Sequence, residues 1–267
     1  MKIALAQIDC IPGDIEANCS RIMETARQAG EQGCGVLFLP ELVDTGYEMR
    51  TVERTASVWP GLPFNTTQNA SRNNSINIIC GLSERQGDAI YNSLAVFSPD
   101  GSLIGKYRKT HLIPIAPIHE DRYITPGNSL ELVEIGGINW GLLICYDLRF
   151  PEISRALTLM GCHALAVCAS WPFPREAHWM ALARARAIEN QSHVIACNRV
   201  GTDGPLTFCG SSCVINAEGK VLAQGSQDRE EIIMADINAE EVDSIRAAMP
   251  VLKGRRQDLY HSRESEK

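Results

Sequence analysis

The sequence lacks the marks of a metal site or a disulfide framework. Ten cysteines stand among 267 residues, yet no two form a Cys-x-x-Cys pair. No His-Glu-x-x-His occurs, and the six histidines show no ligand spacing, so no metal is expected. Most of the cysteines, Cys80, Cys168 and Cys197 among them, sit inside apolar runs, where a thiol packs as a small hydrophobe. A reduced, cytoplasmic chain follows as the expectation. Runs near the roughly 20 apolar residues needed to cross a bilayer are missing. The apolar start at Met1–Gln7 is far shorter than a signal-peptide core. There is no basic stripe either: the net charge is −7, with both signs scattered, which argues against nucleic acid and membrane surfaces as partners. Composition shifts, Gly/Ser-rich linkers, repeats and low-complexity blocks are also lacking. The expected organisation is one domain over residues 1–260 and a polar tail over 261–267.

What is present is an ordinary globular mix, 45% hydrophobic and 21% charged, in a chain long enough to bury a large core. Short apolar runs alternate with helical patterns. Strands are expected at 2–8, 36–39, 77–82, 94–97, 103–107, 130–135, 138–144, 164–168, 193–198, 211–215 and 231–237. Helices are expected at 15–29 behind an Asp14 cap, then near 60–73, 152–160, 175–190 and 239–247. Turn signals at Ser98–Gly101, Gly136-Gly137 and Glu218-Gly219 make hairpins, the last between strands 211–215 and 231–237. Strands alternating with helices and broken by hairpins give an α/β protein, a mixed sheet with helices outside.

Three polar residues stand at the ends of apolar strands. Val36-Leu-Phe-Leu39-Pro40 delivers Glu41, a strand running out at Tyr107-Arg108 delivers Lys109, and Trp140-Gly-Leu-Leu-Ile144 delivers Cys145. Pro151 suits the first turn of a helix, whose N-terminus together with a nearby cation would favour thiolate at Cys145. Singly, each has a plainer reading: a buried thiol, a loop carboxylate, a solvated basic edge. Together they supply what cysteine attack on an amide requires. The thiol needs a base, the oxyanion a fixed positive group, and the leaving amine a proton.

The chain resembles the nitrilase, or carbon–nitrogen hydrolase, superfamily. The resemblance rests on Pro40-Glu41, Thr45-Gly46-Tyr47, Tyr107-Arg-Lys109-Thr-His-Leu112 and Cys145-Tyr-Asp-Leu-Arg-Phe-Pro-Glu152. It continues through Ala177-His178-Trp179, Arg184-Ala-Arg-Ala-Ile-Glu189-Asn190 and Gly210-Ser-Ser to Asp258-Leu259-Tyr260. It implies a four-layer α-β-β-α sandwich that pairs into homodimers or larger homo-oligomers, and a catalytic set needing no cofactor. Glu41 would be the general base, Lys109 the oxyanion lysine and Cys145 the nucleophile. Glu120, six residues before Pro126-Gly127, would be the second glutamate, and the Tyr146 N–H would complete the oxyanion hole. Within the superfamily the omega-amidase branch, which deamidates alpha-keto acid monoamides, is the nearest match. The Ser170-Trp-Pro-Phe-Pro174 loop departs from its animal members. N-carbamoyl acid hydrolysis is the rival, a nitrile substrate a weaker one, and a metabolite-binding or redox-sensing protein on an inactive scaffold the non-enzymatic alternative.

Other residues carry two readings. Arg149 either clamps a substrate carboxylate or pairs with Asp147 to hold the turn, the role favoured for Asp147. Trp171 and Tyr47 either line the pocket or pack in the core. Arg186 and Glu189, at i,i+3, are expected as a helix ion pair. His111 and His178 are expected to hydrogen-bond locally.

Overall fold

The computed structural model describes residues 1–260, so the expected tail over 261–267 lies outside the described residues. The chain begins with β1 (Lys2–Gln7), α1 (Ile15–Glu31), β2 (Val36–Phe38), α2 (Met49–Thr55) and α3 (Leu62–Asn74). Strands β3 (Asn77–Gln86), β4 (Ala89–Phe97), β5 (Leu103–Arg108), β6 (Leu132–Ile135) and β7 (Ile138–Ile144) follow. Then come α4 (Pro151–Leu159), β8 (Ala164–Ala169), α5 (Glu176–Asn190) and β9 (His193–Asn198). The remainder is β10 (Thr202–Asp203), β11 (Leu206–Thr207), β12 (Cys213–Ile215), β13 (Val221–Gln224), β14 (Glu231–Asp236) and α6 (Ala239–Ala248).

The strands form two six-stranded mixed sheets, ordered β14-β1-β2-β3-β4-β5 and β13-β12-β9-β8-β7-β6, with β10 and β11 as a separate hairpin. In each sheet three central strands run parallel, β1-β2-β3 in one and β7-β8-β9 in the other, with antiparallel strands at the edges. Alternation along β1 explains the layering. Ile3 and Leu5 face the second sheet, in a core with Phe38, Trp140, Leu142 and Ile195. Ala4 and Ala6 face the other way, toward Ile22, Ala26 and Ala29 of α1 and Phe64 and Ala70 of α3. Phe38 and Trp140 meet across the sheets with ring centroids 5.3 Å apart. On the far side, Leu157 of α4 approaches β7 so closely that a β-carbon on Gly141 would come within 3.1 Å of it. Helix, sheet, sheet, helix is the layer order.

Two sheets stand where the element pattern alone gave one. The hairpin around Glu218-Gly219 also joins different strands from those expected. β12 turns into β13, a short edge strand of half-exposed residues, whereas β14 pairs with β1 in the other sheet. Helix α2, capped by Glu48, is one the sequence reading did not contain: seven residues are too few to show a period. β3 and β4 run on into a hairpin at Gly87, past the end of their apolar cores.

Candidate active site

The strand ends converge. Ser170, immediately after β8 of the second sheet, donates its N–H to Glu41 Oε2 at 2.8 Å, and its Oγ donates to the Glu41 carbonyl at 3.1 Å. Glu41 follows β2 of the first sheet, so the two sheets are tied together at the site. β3 passes directly beneath: a β-carbon on Gly81 would lie 2.5 Å from the Pro40 oxygen and 2.6 Å from Glu41 Cα. Glycine is what lets the strand reach that close.

Lys109 follows β5 and is fully buried. Its Nζ donates to Glu41 Oε1 at 2.8 Å and to Glu120 Oε1 at 2.6 Å. Glu41 Oε1 also accepts from Asn92 Nδ2 at 2.7 Å. Glu120 takes the Tyr47 hydroxyl on Oε1 and the Ile113 N–H on Oε2, each at 2.8 Å. Gly127 donates its N–H to the Lys109 carbonyl at 2.8 Å and packs too tightly against Arg108 for a side chain, which ties Pro126-Gly127 to the lysine loop. Every polar atom of the two carboxylates is thereby engaged, the condition for burying charge without a large penalty.

Cys145 opens the turn that links β7 to α4 and holds φ at +43°, a left-handed conformation uncommon for any residue but glycine. Asp147, fully buried, stabilises that turn. Its carboxylate accepts the Ile144 N–H at 2.9 Å, the Tyr107 hydroxyl at 2.8 Å and the His111 N–H at 3.1 Å, and lies 2.9 Å from His111 Nδ1. The expected Asp147–Arg149 pair therefore does not form: Asp147 is spent on joining the cysteine turn to the lysine loop. Arg186 and Glu189 do pair, at 2.9 Å, and Arg186 Nε donates to the Leu148 carbonyl at 3.1 Å.

The electrostatics correct a second expectation. Burial, reinforced by the Glu41 charge, pushes the Cys145 thiol well above its ordinary value, although Lys109 pulls the other way. Burial and the Glu41 charge both favour the protonated thiol over the thiolate. Burial likewise raises Glu41, against the opposing pull of Lys109. For Lys109 burial opposes the charge, but Glu120 and Glu41 outweigh it and hold the ammonium well above the usual lysine range. A neutral thiol thus lies beside a carboxylate of raised basicity and a permanent cation.

Cys145 opens into a cavity of about 250 Å³. Tyr146, Arg149, Trp171, Arg175 and His178 line it, with Ile113 to Ile118 as an apolar wall that omits only the solvent-directed Pro114. Trp171 and Arg149 thus share the cavity with Cys145. Tyr47 stands outside that lining, behind Glu120, with Phe208 edge-on at 6.1 Å. Asn92, Ser170, Tyr107, Arg175 and His178 were not picked out as site residues from the sequence. Of these Asn92 left a signal, an amide inside the apolar strand Ile90–Phe97.

The description "Carbon-nitrogen hydrolase" matches residues 2–247. The chain belongs to the carbon–nitrogen hydrolase family. It is an enzyme that cleaves carbon–nitrogen bonds of amides. Among its relatives is the 2-oxoglutaramate amidase of Bacillus subtilis, 36% identical over 84% of this chain and 86% of that one. This carbon–nitrogen hydrolase also superimposes on Nit3 of Saccharomyces cerevisiae, a member of branch 10 of the nitrilase superfamily. The TM-score is 0.88, with 29% identity over 96% of each chain. A glutamate-to-glutamine mutant of the amidase from Nesterenkonia sp. AN1 matches at a TM-score of 0.86 and 25% identity, over 97% of this chain and 95% of that one. In that structure the acetamide moiety of fluoroacetamide is bound covalently to the active-site cysteine.

Proposed function

We propose that this enzyme hydrolyses the terminal amide of a small keto acid, releasing ammonia, with Cys145 as nucleophile. The observation that carries the substrate reading is the cavity that holds Cys145 together with Arg149, which forms no ion pair among the described residues, one to attack an amide and one to receive a carboxylate. Glu41 takes the thiol proton as sulfur bonds to the carbonyl carbon. Lys109 and the Tyr146 N–H receive the oxyanion. The tetrahedral adduct collapses, ammonia departs with the proton from Glu41, and an acyl thioester remains. Glu41 then deprotonates a water that attacks the thioester, and the acid leaves as the thiol re-forms. Glu120 holds Lys109 in place throughout. A base buried beside a neutral thiol supports turnover over metabolite binding or redox sensing.

The test is ammonia release from 2-oxoglutaramate, an N-carbamoyl amino acid and a short aliphatic nitrile. The keto-acid amide is expected to be the fastest of the three, at least about 10-fold ahead of the nitrile in kcat/KM, the margin one well-made charge-assisted contact to its carboxylate supplies. A faster reaction of the ureido acid, with carbon dioxide released beside ammonia, overturns the assignment.

We further propose that two copies pair. Exposed Leu159 and Met160 at the end of α4, Ile188 on α5, and Met249 and Val251 beyond α6 offer an apolar surface for it. Sedimentation at micromolar concentration should give twice the mass of the 29.3 kDa chain, and a monomer there removes the proposal. Among the described residues no helix is long and apolar enough to cross a membrane, and all ten cysteines are free. We propose a place in the reducing cytoplasm, where free thiols persist.

A further inference from the structure

The cavity holds more positive charge than one arginine accounts for. Arg175 lines it beside Arg149, and no Asp or Glu carboxylate does. Among the described residues neither guanidinium forms an ion pair, whereas Arg186, Arg199 and Arg108 each do.

Both arginines are placed by one side chain. The Arg149 guanidinium lies over the Trp171 ring, 4.5 Å from its centroid, and faces the Tyr146 ring at 5.9 Å. Trp171 is fully buried and donates its indole N–H to the Arg175 carbonyl at 2.8 Å. His178 Nδ1, one turn along α5, sits 3.5 Å from Arg149 Nη1. Arg175 is also the residue from which α5 starts, so the positive end of that fifteen-residue helix lies on the same side. Stacking fixes one guanidinium on the indole face, and the indole N–H fixes the backbone of the other.

We propose that Arg175 is a specificity-determining residue, the second arm of a two-arginine clamp that selects amides whose far end is a carboxylate. This deepens the keto-acid amide reading and rests on it. The cavity, at about 250 Å³, falls below the roughly 300–1,000 Å³ of sites for drug-sized ligands, which limits the substrate to a short acyl chain. Two cations in a largely apolar chamber, one of them stacked on the indole face, bind the ionised acid and leave a neutral end group facing a guanidinium with no carboxylate, so a neutral isostere is rejected.

The experiment compares wild type, Arg175→Gln and Arg175→Lys on 2-oxoglutaramate and on butyramide, a neutral amide. Arg175→Gln should raise KM for the keto-acid amide by about 10- to 100-fold, with kcat within about threefold, and should raise rather than lower the weak turnover of butyramide, whose neutral end then faces one guanidinium fewer. Arg175→Lys should recover a part of that loss, because charge is kept and the fork geometry is not. An equal effect of Arg175→Gln on both amides, or no effect on either, overturns the clamp. Failure of wild type on the keto-acid amide with retained butyramide turnover instead overturns the substrate reading itself.

Discussion

Cys145→Ala is expected to release no measurable ammonia from any amide, a loss on the order of 10⁵-fold or more, while the protein stays folded. That is the scale on which removing a covalent nucleophile acts, since the remaining groups cannot form the acyl intermediate. Stability should barely move. The left-handed backbone at Cys145 is equally strained for alanine, and the lost sulfur faces a cavity, not a packed core. Cys145→Ser should be nearly as inactive, because a hydroxyl holds its proton far more tightly than a thiol and Glu41 is tuned to the latter. The checks are an ammonia assay, a thermal melt and intact mass after brief exposure to iodoacetamide. Wild type should gain one acetamide moiety and Cys145→Ala none. Cys145 alone among the ten cysteines lines the cavity, so an adduct on the alanine variant, or turnover by either variant, would sink the assignment.

Much of this was legible in the sequence because the site is built at strand ends. An apolar run that stops on Glu41 or on Cys145 announces both a buried strand and a polar group at its exit, and both elements are where the runs put them; the strand before Lys109 is half exposed and was marked by the turn signal before it. The burial of the Lys109–Glu120 pair, eleven residues apart, left no such trace, because a loop joins them and no period relates loop residues. Asp147 misled for a related reason. Its neighbour Arg149 is the obvious partner along the chain, but the turn points the carboxylate back toward Tyr107 and His111 and sends the guanidinium out over Trp171. The expectation of a thiolate at Cys145 weighed a helix start and a lysine, and the burial and the Glu41 charge that oppose them are visible only in the fold. The partition of strands into two sheets was likewise invisible: β14 carries the same alternation whether it pairs with β12, as expected, or with β1.

The lysine offers the second large effect, because Lys109 is the one cation that Glu41 and Glu120 share. Lys109→Met should reduce kcat by about 10³-fold or more, the loss expected when a preorganised oxyanion donor is removed from a water-poor site. It should also cost about 3–5 kcal/mol of stability, since it strands buried carboxylates rather than removing a whole pair. The pH dependence follows from the direction at Glu41. Burial already raises its pKa, and losing Lys109 removes the main influence that lowers it. A carboxyl whose folded pKa lies above its unfolded one keeps its full stability below the unfolded value and loses it as pH rises through the folded value. The deficit of Lys109→Met against wild type should therefore shrink toward acid pH and widen toward neutrality, read as the gap between their urea midpoints. Adding Glu120→Gln removes one of the stranded charges while keeping an amide oxygen that can accept the Ile113 N–H and an NH2 that can donate to the Tyr47 hydroxyl. That double variant should regain most of the stability and none of the turnover. Recovered turnover would show that Lys109 only neutralises its neighbours, and the oxyanion would then need another donor.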